Sequence, residues 1–411
     1  MRYFRTPIEI DPAQVYLSAL VFSPTGSIIR GLFRAEEPKW PVKPVADQDW
    51  SPCLQTLEGH EDYVNSVDIS PDRATLASAS DDGTVKLWDT ATGHCLRTLP
   101  LQGRGKSVAF STDGTMLASA SDSVIKLWSM VTGHCLRTLP TRGNCISVAF
   151  SSDGTTLASG SNRSVFQLWD TKSGQCLHTL RGHRGTVYSV VFSGDSSLLA
   201  SGSSDKTVRL WQTSTGICLR TIDRDSEVSS IALSHDGTRL ASVSSSGVEV
   251  CNLKTNDCIQ PLKDGIHTDF GPVAFSPSGT QIAFDLDRIG LHLWDITTNQ
   301  SKGVLTGHHG IVTSVVFSGG GSLLASASRD AASIKLWNLT VDDPHSPCQV
   351  PETQSNASSD PGLYGRELKR STHQIIRFVR NACKFARSRK QNQKGEAGCI
   401  QFPQSSHAQI S

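Results

Sequence analysis

The chain has 411 residues, 37% of them hydrophobic, with 39 Lys and Arg against 38 Asp and Glu for a formal net charge of +1. That balance gives no global bias toward nucleic acid or anionic membranes, and no run of about eighteen apolar residues is present to cross a bilayer. The opening MRYFRTPIEIDPAQ is charged and lacks a following apolar stretch of adequate length, so a secretory signal is not expected.

Residues 1–50 stand apart as a short, partly helical connector. Within them LSALVFSPTGSIIRGLF (17–33) reads as two short strands, but Pro38-Lys39-Trp40-Pro41 and Asp47-Gln48-Asp49-Trp50 follow instead of a third. From Leu57 the pattern changes. LEGHEDYVNSVDISPDRATLASASDDGTVKLWD (57–89) holds three alternating segments, VNSVDIS, TLASAS and TVKLWD, separated by Pro71-Asp72 and Asp81-Asp82-Gly83. Period-2 alternation between turn residues predicts consecutive antiparallel strands.

The same unit recurs to the end of this region. Cys53, Cys95, Cys135, Cys176, Cys218 and Cys258 each open a CLxTL-like segment, at successive spacings of 42, 40, 41, 42 and 40 residues. A Gly-His start, a Trp-Asp end and a period of about 40–45 form the signature of a four-stranded propeller blade. On these residues the chain resembles the WD40-repeat proteins over about Cys53 to Asp342. The resemblance implies an all-β fold: one seven-bladed propeller over 51–343, with connector 1–50 before it and a disordered basic tail, 344–411, after it. The inner strands SVDIS, SVAFS, SVAFS, SVVFS, SIALS, PVAFS and SVVFS count the seven blades. No CLxTL strand follows Trp337, so Cys53–Leu57 is expected to pair with Ile334–Leu336 and close the ring, removing an exposed edge.

The family likeness also implies a hydrogen-bonded set of His, strand Ser, turn Asp and Trp that stabilises a blade. By position the sets are His60, Ser78 or Ser80, Asp82 and Trp88; His183, Ser201 or Ser203, Asp205 and Trp211; and His308, Ser326 or Ser328, Asp330 and Trp337. A Ser-His-Asp hydrolase triad is the competing reading. Recurrence in three blades, the accompanying Trp and the lack of a G-x-S-x-G elbow count against it, so no catalytic residue, cofactor or metal is expected. Blades 2, 3, 5 and 6 depart from the set; blade 5 lacks His, turn Asp and Trp together, with Cys251 where Trp belongs. Blades 5 and 6 are therefore expected to be the loosest. The cysteines, eleven in all, are expected to be reduced apolar fillers, because equivalent positions on different blades lie too far apart to bond.

Further likenesses bear on role. The arrangement SALVFSP, SIIRGLF and Pro-Lys-Trp ahead of CLQTLEGH resembles the connector of fungal NACHT–WD40 proteins, NLR-like receptors of the heterokaryon-incompatibility type. ATGHCLRTLP (91–100) and VTGHCLRTLP (131–140) differ at one position, like the recently duplicated repeats of those receptors. No G-x-x-x-x-G-K-[ST] loop occurs, so the likeness implies a sensor module parted from its nucleotide-binding domain. The expected function is a non-catalytic interaction scaffold or ligand sensor, cytoplasmic, or alternatively nuclear, and monomeric. A generic WD40 adaptor in organelle division or chromatin regulation is the alternative.

In WD40 proteins the partner face is built by the residues three and five after the Gly-His histidine and the one before the turn Asp. Carried over, these are Tyr63, Asn65 and Asp81; Arg104 and Lys106; Asn144 and Ile146; Thr186, Tyr188 and Ser204; Glu227 and Ser229; Asp269 and Asp287; and Ile311, Thr313 and Arg329. Positive charge, with Arg142 and Arg163, gathers on blades 2 and 3, and negative charge on blades 5 and 6. A protein or peptide with charges of both signs is the expected partner, and no specific nucleic acid. From residue 345 on there are 10 Lys and Arg against 4 Asp and Glu, a net of +6, which leaves −5 for the rest. Ile375, Val379, Ala382, Cys383 and Ala386 recur at helical spacing, so an amphipathic helix over 372–388 touching an acidic partner or anionic lipid is the alternative to a solvated tail.

Overall fold

The computed structural model describes residues 52–262, 271–285, 290–329 and 332–339, all within one unit, Pro52–Ser346. The connector, the tail and its helical stretch lie outside the described residues, as do Asp269, Asp287 and Asp330.

Alternation and turn chemistry produce the strands directly. Blade 1 runs Val64–Ile69, Thr75–Ser80, Thr84–Asp89 and Cys95–Pro100, here lettered a to d from the axis outward. The a–b turn is tied by its own side chains: Ser70 Oγ donates to Asp72 Oδ1, which also accepts from the Ala74 N–H. Equivalent Ser–Asp pairs close this turn in blades 2 to 5, at Ser111, Ser151, Ser193 and Ser234. The b–c turn needs a left-handed residue, supplied by Gly83 at φ 80° in blade 1 and by Lys206 at φ 67° in blade 4.

The described strands form seven four-stranded antiparallel sheets. Six are consecutive meanders. The seventh joins 312–338 to Cys53–Leu57, with Leu57 opposite Ile334 and Gln55 opposite Leu336. The chain is thus a closed seven-bladed propeller with no helix among the described residues. Its apolar core is divided into seven clusters, each between neighbouring blades. Val85, Leu87 and Leu99 of blade 1 pack against Val108, Phe110 and Trp128 of blade 2, and Leu336 and Ala327 of blade 7 pack against Val67 and Trp88 of blade 1. Strand b is almost wholly buried, so TLASAS and its equivalents carry small Ala and Ser that let blades approach on both sides.

A second set of links runs around the axis. Ser66 Oγ accepts the Val108 N–H, Ser107 that of Val148, Ser147 that of Val190, Ser189 that of Ile231, Ser230 that of Val273 and Ser314 that of Val67. Blade 6 has Pro272 at this position; there Asp285, fully buried, accepts the Val312 N–H of blade 7 at 3.1 Å. Blade 1 adds Asp68, whose two oxygens take the N–H groups of Phe110 and Ile69. Part of the residue reaches the surface, but its carboxylate is enclosed between two inner strands, and burial pushes its pKa up to about 6.

In blades 1 and 4 the polar set is one directed chain. Trp88 Nε1–H donates to Ser78 Oγ at 2.8 Å, and Ser78 Oγ lies 2.7 Å from His60 Nε2. His60 Nδ1 lies 2.6 Å from Asp82, and Thr84 also donates to that carboxylate. Trp211, Ser201, His183 and Asp205 repeat this with 2.9, 2.7 and 2.9 Å contacts. The chain runs in one sense with a neutral imidazole protonated on Nδ1. Burial lowers both histidine pKa values, against the opposing pull of the carboxylates. Burial alone would raise Asp205, but the bonds from Thr207, Arg184 and His183 outweigh it and hold it at about 2. In blade 7, Trp337 and His308 meet on Ser326. Of each alternative serine pair, the first member (Ser78, Ser201, Ser326) occupies the chain.

The remaining blades solve the same problem differently. Trp128 and Trp169 still donate to Ser119 and Ser159 without a histidine. In blade 6 Phe284 stands at the serine position, and Trp294 is only half-buried and donates to Asn299 instead. Blade 5 corrects the expectation of a blade left without a substitute for its lost set. Arg224 takes the histidine place, its Nε 3.0 Å from Ser242 Oγ and 3.5 Å from Glu249, and its Nη2 3.4 Å from Cys251 Sγ. The expectation for the cysteines is also corrected: Cys251 and Cys258 are joined in a disulfide. They belong to one blade, on adjacent strands, so separation between blades is irrelevant to them. Cys95, Cys135 and Cys176 are exposed on outer strands and are not core fillers.

Candidate interaction face

The loops before strand a and the b–c turns share one end of the propeller, its upper face. The first residues of each inner strand turn toward the axis there. They enclose an axial cavity of about 220 Å³ whose wall includes Asn65, Lys106, Ile146, Tyr188, Ser229, Gly271 and Thr313, one from each blade. Beneath them the linking serines Ser66, Ser107, Ser147, Ser189, Ser230 and Ser314 complete a strongly polar lining.

This ring is not symmetric in chemistry. Lys106 Nζ and Asn65 Nδ2 both donate to Asp81 Oδ1 at 2.7 Å, binding the tops of blades 1 and 2 together. Lys106 and Asp81 therefore largely neutralise each other rather than presenting free charge. Thr313 Oγ1 donates to the Val64 carbonyl at 2.6 Å across the closing seam. Tyr188 is half-buried; burial, with the charge of nearby Glu227, raises its phenol pKa. Gly271 is the blade 6 member, and a Cβ built there would fall 1.9 Å from the Asp285 carbonyl oxygen. Only glycine fits, so the ring has a gap in its side chains at blade 6.

The rim around the cavity is built from the other residues expected on the partner face. Tyr63 is 51% exposed on blade 1. Arg104, Asn144, Glu227 and Arg329 are exposed, as are Arg142 and Arg163, whereas Thr186, Ser204 and Ile311 are half-buried. Ser204 Oγ accepts the Thr186 N–H, and the Arg104 and Asn144 N–H groups are held by Asp122 and Asn162, so these loops are fixed by local bonds. The rim thus carries arginines on blades 2, 3 and 7 and Glu227 on blade 5; Asp269 and Asp287 of blade 6 lie outside the described residues. Sequence reasoning missed Gly271, the Asp81 clamp and the serine ring. Only the serine ring had a signal, the Ser that precedes each Val or Ile of the inner strand.

A wider groove of about 590 Å³ opens on the opposite face between blades 3 and 4, lined by residues including Asp153, Leu177, His178 and Asp195. Two blades build it, against seven for the axial cavity. Among the described residues, one group has metal-ligand proximity, Glu249 with Cys251 and Cys258, and those two thiols are already bonded to each other. The Ser–His–Asp geometry of blades 1 and 4 is closed off by Trp and Thr partners and buried, with the serine hydroxyl 0% exposed and out of reach of a substrate.

Comparison with known proteins accords with this architecture. Segments 51–89, 93–129, 133–170, 174–212 and 299–338 match the family described as WD domain, G-beta repeat. Between them, 213–298 holds most of blades 5 and 6, where Cys251 stands in the Trp place of blade 5 and Phe284 in the serine place of blade 6. The vegetative incompatibility protein HET-E-1 of Podospora anserina is 50% identical over 91 residues, 22% of this chain and 7% of that protein. The human ribosome biogenesis protein BOP1 is 45% identical over 62 residues, 15% of this chain and 8% of its own length. Subunit I of eukaryotic translation initiation factor 3 from Aspergillus fumigatus is 41% identical over 64 residues, 16% of this chain and 19% of its own. The matches therefore span less than a fifth of each of these relatives.

Proposed function

Because the chain is a WD40-repeat β-propeller, we propose that it acts as a non-catalytic binding module whose upper face docks a protein segment carrying charges of both signs. The observation that supports this most is the convergence of one inner-strand residue from each of seven blades on a single polar axial cavity. Around it stand an exposed aromatic, Tyr63, and opposed charges, Arg104 and Glu227. Aromatic anchors in a polar rim are the features enriched where binding energy concentrates, and opposed potentials fix a partner's orientation. The matched relatives carry names from three different processes, so what they lend this chain is a binding module more than a pathway. Among those, the identity to the vegetative incompatibility protein favours a sensing role of that kind. A cytoplasmic location and a monomeric state are part of the same reading.

The test is affinity capture with the full chain and a Tyr63→Ala, Arg104→Glu, Glu227→Arg variant, all three substitutions being at exposed positions. A Leu177→Ala, His178→Ala variant in the opposite groove serves as the control. Partners should be lost from the first and kept by the second, with both variants melting like the parent. Full retention by the folded first variant would place binding elsewhere.

A further inference from the structure

In six of the seven blades the residue opposite the Trp position is the first of the outer strand. Trp88 faces Cys95, Trp128 faces Cys135, Trp169 faces Cys176, Trp211 faces Cys218 and Trp337 faces Cys53. Blade 6 pairs Trp294 with Ser301. Blade 5 alone has replaced its Trp by cysteine, so the register that elsewhere sets a thiol against an indole sets Cys251 against Cys258, Cα atoms 4.1 Å apart. Cys251 is 4% exposed, whereas Cys258 lies exposed on the outer strand.

The surroundings of this pair are also specific to blade 5. The buried guanidinium of Arg224 donates from Nη2 to Cys251 Sγ at 3.4 Å, and Glu249 Oε1 is 3.4 Å from the same sulfur. A cation beside Cys251 stabilises its thiolate, and the Glu249 carboxylate offers an acceptor for its S–H when the thiol is protonated. The site thus accommodates the disulfide, the thiolate and the thiol. A guanidinium at this distance counts against a divalent cation held by Glu249 and the two thiolates.

We propose that Cys251 and Cys258 form a reversible dithiol–disulfide site that exchanges with a low-molecular-weight thiol such as glutathione. A glutathione thiolate attacks the accessible Cys258 sulfur. The S–S bond breaks, its electron pair leaves on Cys251 beside Arg224, and a mixed disulfide forms at Cys258. A second glutathione thiolate attacks the glutathione sulfur of that mixed disulfide. Cys258 is released as a thiolate that takes up a proton, and oxidised glutathione departs. Two thiols are oxidised for one protein disulfide reduced. Attack at the exposed sulfur and departure of the stabilised thiolate make this the favoured direction of exchange.

The experiment equilibrates the full-length chain in buffers of varied reduced-to-oxidised glutathione ratio, quenches in acid, alkylates, and quantifies each cysteine by peptide mass spectrometry. The expected result is a two-electron transition of the Cys251–Cys258 peptide while Cys95, Cys135 and Cys176 remain alkylatable as single thiols throughout. Arg224→Gln should slow reduction about three- to tenfold through the poorer leaving group, and Arg224→Lys, which keeps the charge, should restore most of the rate. The Lys variant separates the effect of charge from a packing defect. Two results overturn the proposal: both cysteines alkylated at every glutathione ratio, or stoichiometric zinc retained by the reduced pair.

Discussion

Removing one hydroxyl, in Ser201→Ala, tests whether the polar chain of blade 4 works as a unit. Ser201 Oγ is 0% exposed and is the partner of both Trp211 Nε1 at 2.9 Å and His183 Nε2 at 2.7 Å. Alanine removes both bonds and leaves a buried indole N–H and a buried imidazole nitrogen without them. Each group so stranded costs about 1–2 kcal/mol, giving about 2–4 kcal/mol in all. Ser159→Ala in blade 3 strands the Trp169 N–H and otherwise removes only a long 3.4 Å bond to the Gln167 carbonyl, so it should cost about half as much. In a domain of this size each kcal/mol lowers Tm by about 2–4 °C. Calorimetry of the two variants beside the parent reads the difference directly. An equal or larger loss for Ser159→Ala would refute the shared-serine argument, because the histidine branch would then carry no stability.

Hydrogen exchange should rank blade 6 as faster than blade 5: blade 6 has Phe284 in the serine place and a half-buried Trp294, whereas blade 5 has Arg224 and a disulfide. Mass-resolved exchange showing Gly247–Asn252 less protected than Leu291–Asp295 would reverse that order. For pH, His60 and His183 have lowered folded pKa values, so the unfolded chain gains protons first and stability falls as pH drops below about 6.5. Asp68 acts in the opposite sense. Its folded pKa of about 6 lies above the unfolded value, so its contribution is present below about pH 4 and lost as pH rises through 6. Urea midpoints measured from pH 7 to 4 should therefore fall more steeply for Asp68→Ala than for the parent, and parallel profiles would discount the buried carboxylate.

The sequence made the blade count, the ring closure and the histidine sets readable because each rests on a fixed interval. His precedes its serine by 18 residues in blades 1, 4 and 7. The same interval separates Arg224 from Ser242, so the replacement in blade 5 is legible as a donor, though not a histidine, at the same spacing. The disulfide was legible too. Trp and the following cysteine are 7 apart in blades 1 to 4, and Cys251 precedes Cys258 by 7. The partner of an outer-strand cysteine is the residue at the Trp position of its own blade, not another outer-strand cysteine. Other contacts had no such interval. Lys106 reaches Asp81 from another blade across 25 residues, and the Gly271 requirement comes from the Asp285 backbone. Those depend on how neighbouring blades are placed, which spacing within one repeat does not encode.

The separation of roles along strand a explains how such a propeller keeps its ring while its upper face varies. The residue two before the core valine or isoleucine faces the cavity, and the residue one before it makes the link between blades. At the first position the chain carries Asn65, Lys106, Ile146, Tyr188, Ser229, Gly271 and Thr313, seven different residue types. At the second it carries serine in six blades, each accepting an N–H from the next inner strand. The seventh, Pro272, offers no hydroxyl, and there the Asp285 carboxylate supplies a bond to blade 7. A buried N–H left without an acceptor costs about 1–3 kcal/mol, which constrains the second position. The first position meets the open cavity and bears no such cost, except at Gly271, where backbone leaves no room. The near-identical segments 91–100 and 131–140 form outer strands and the turns that lead into them, at the periphery of the ring. Repeats can therefore remain alike where they build the ring and differ where they line the cavity, which is what the binding face proposed above requires.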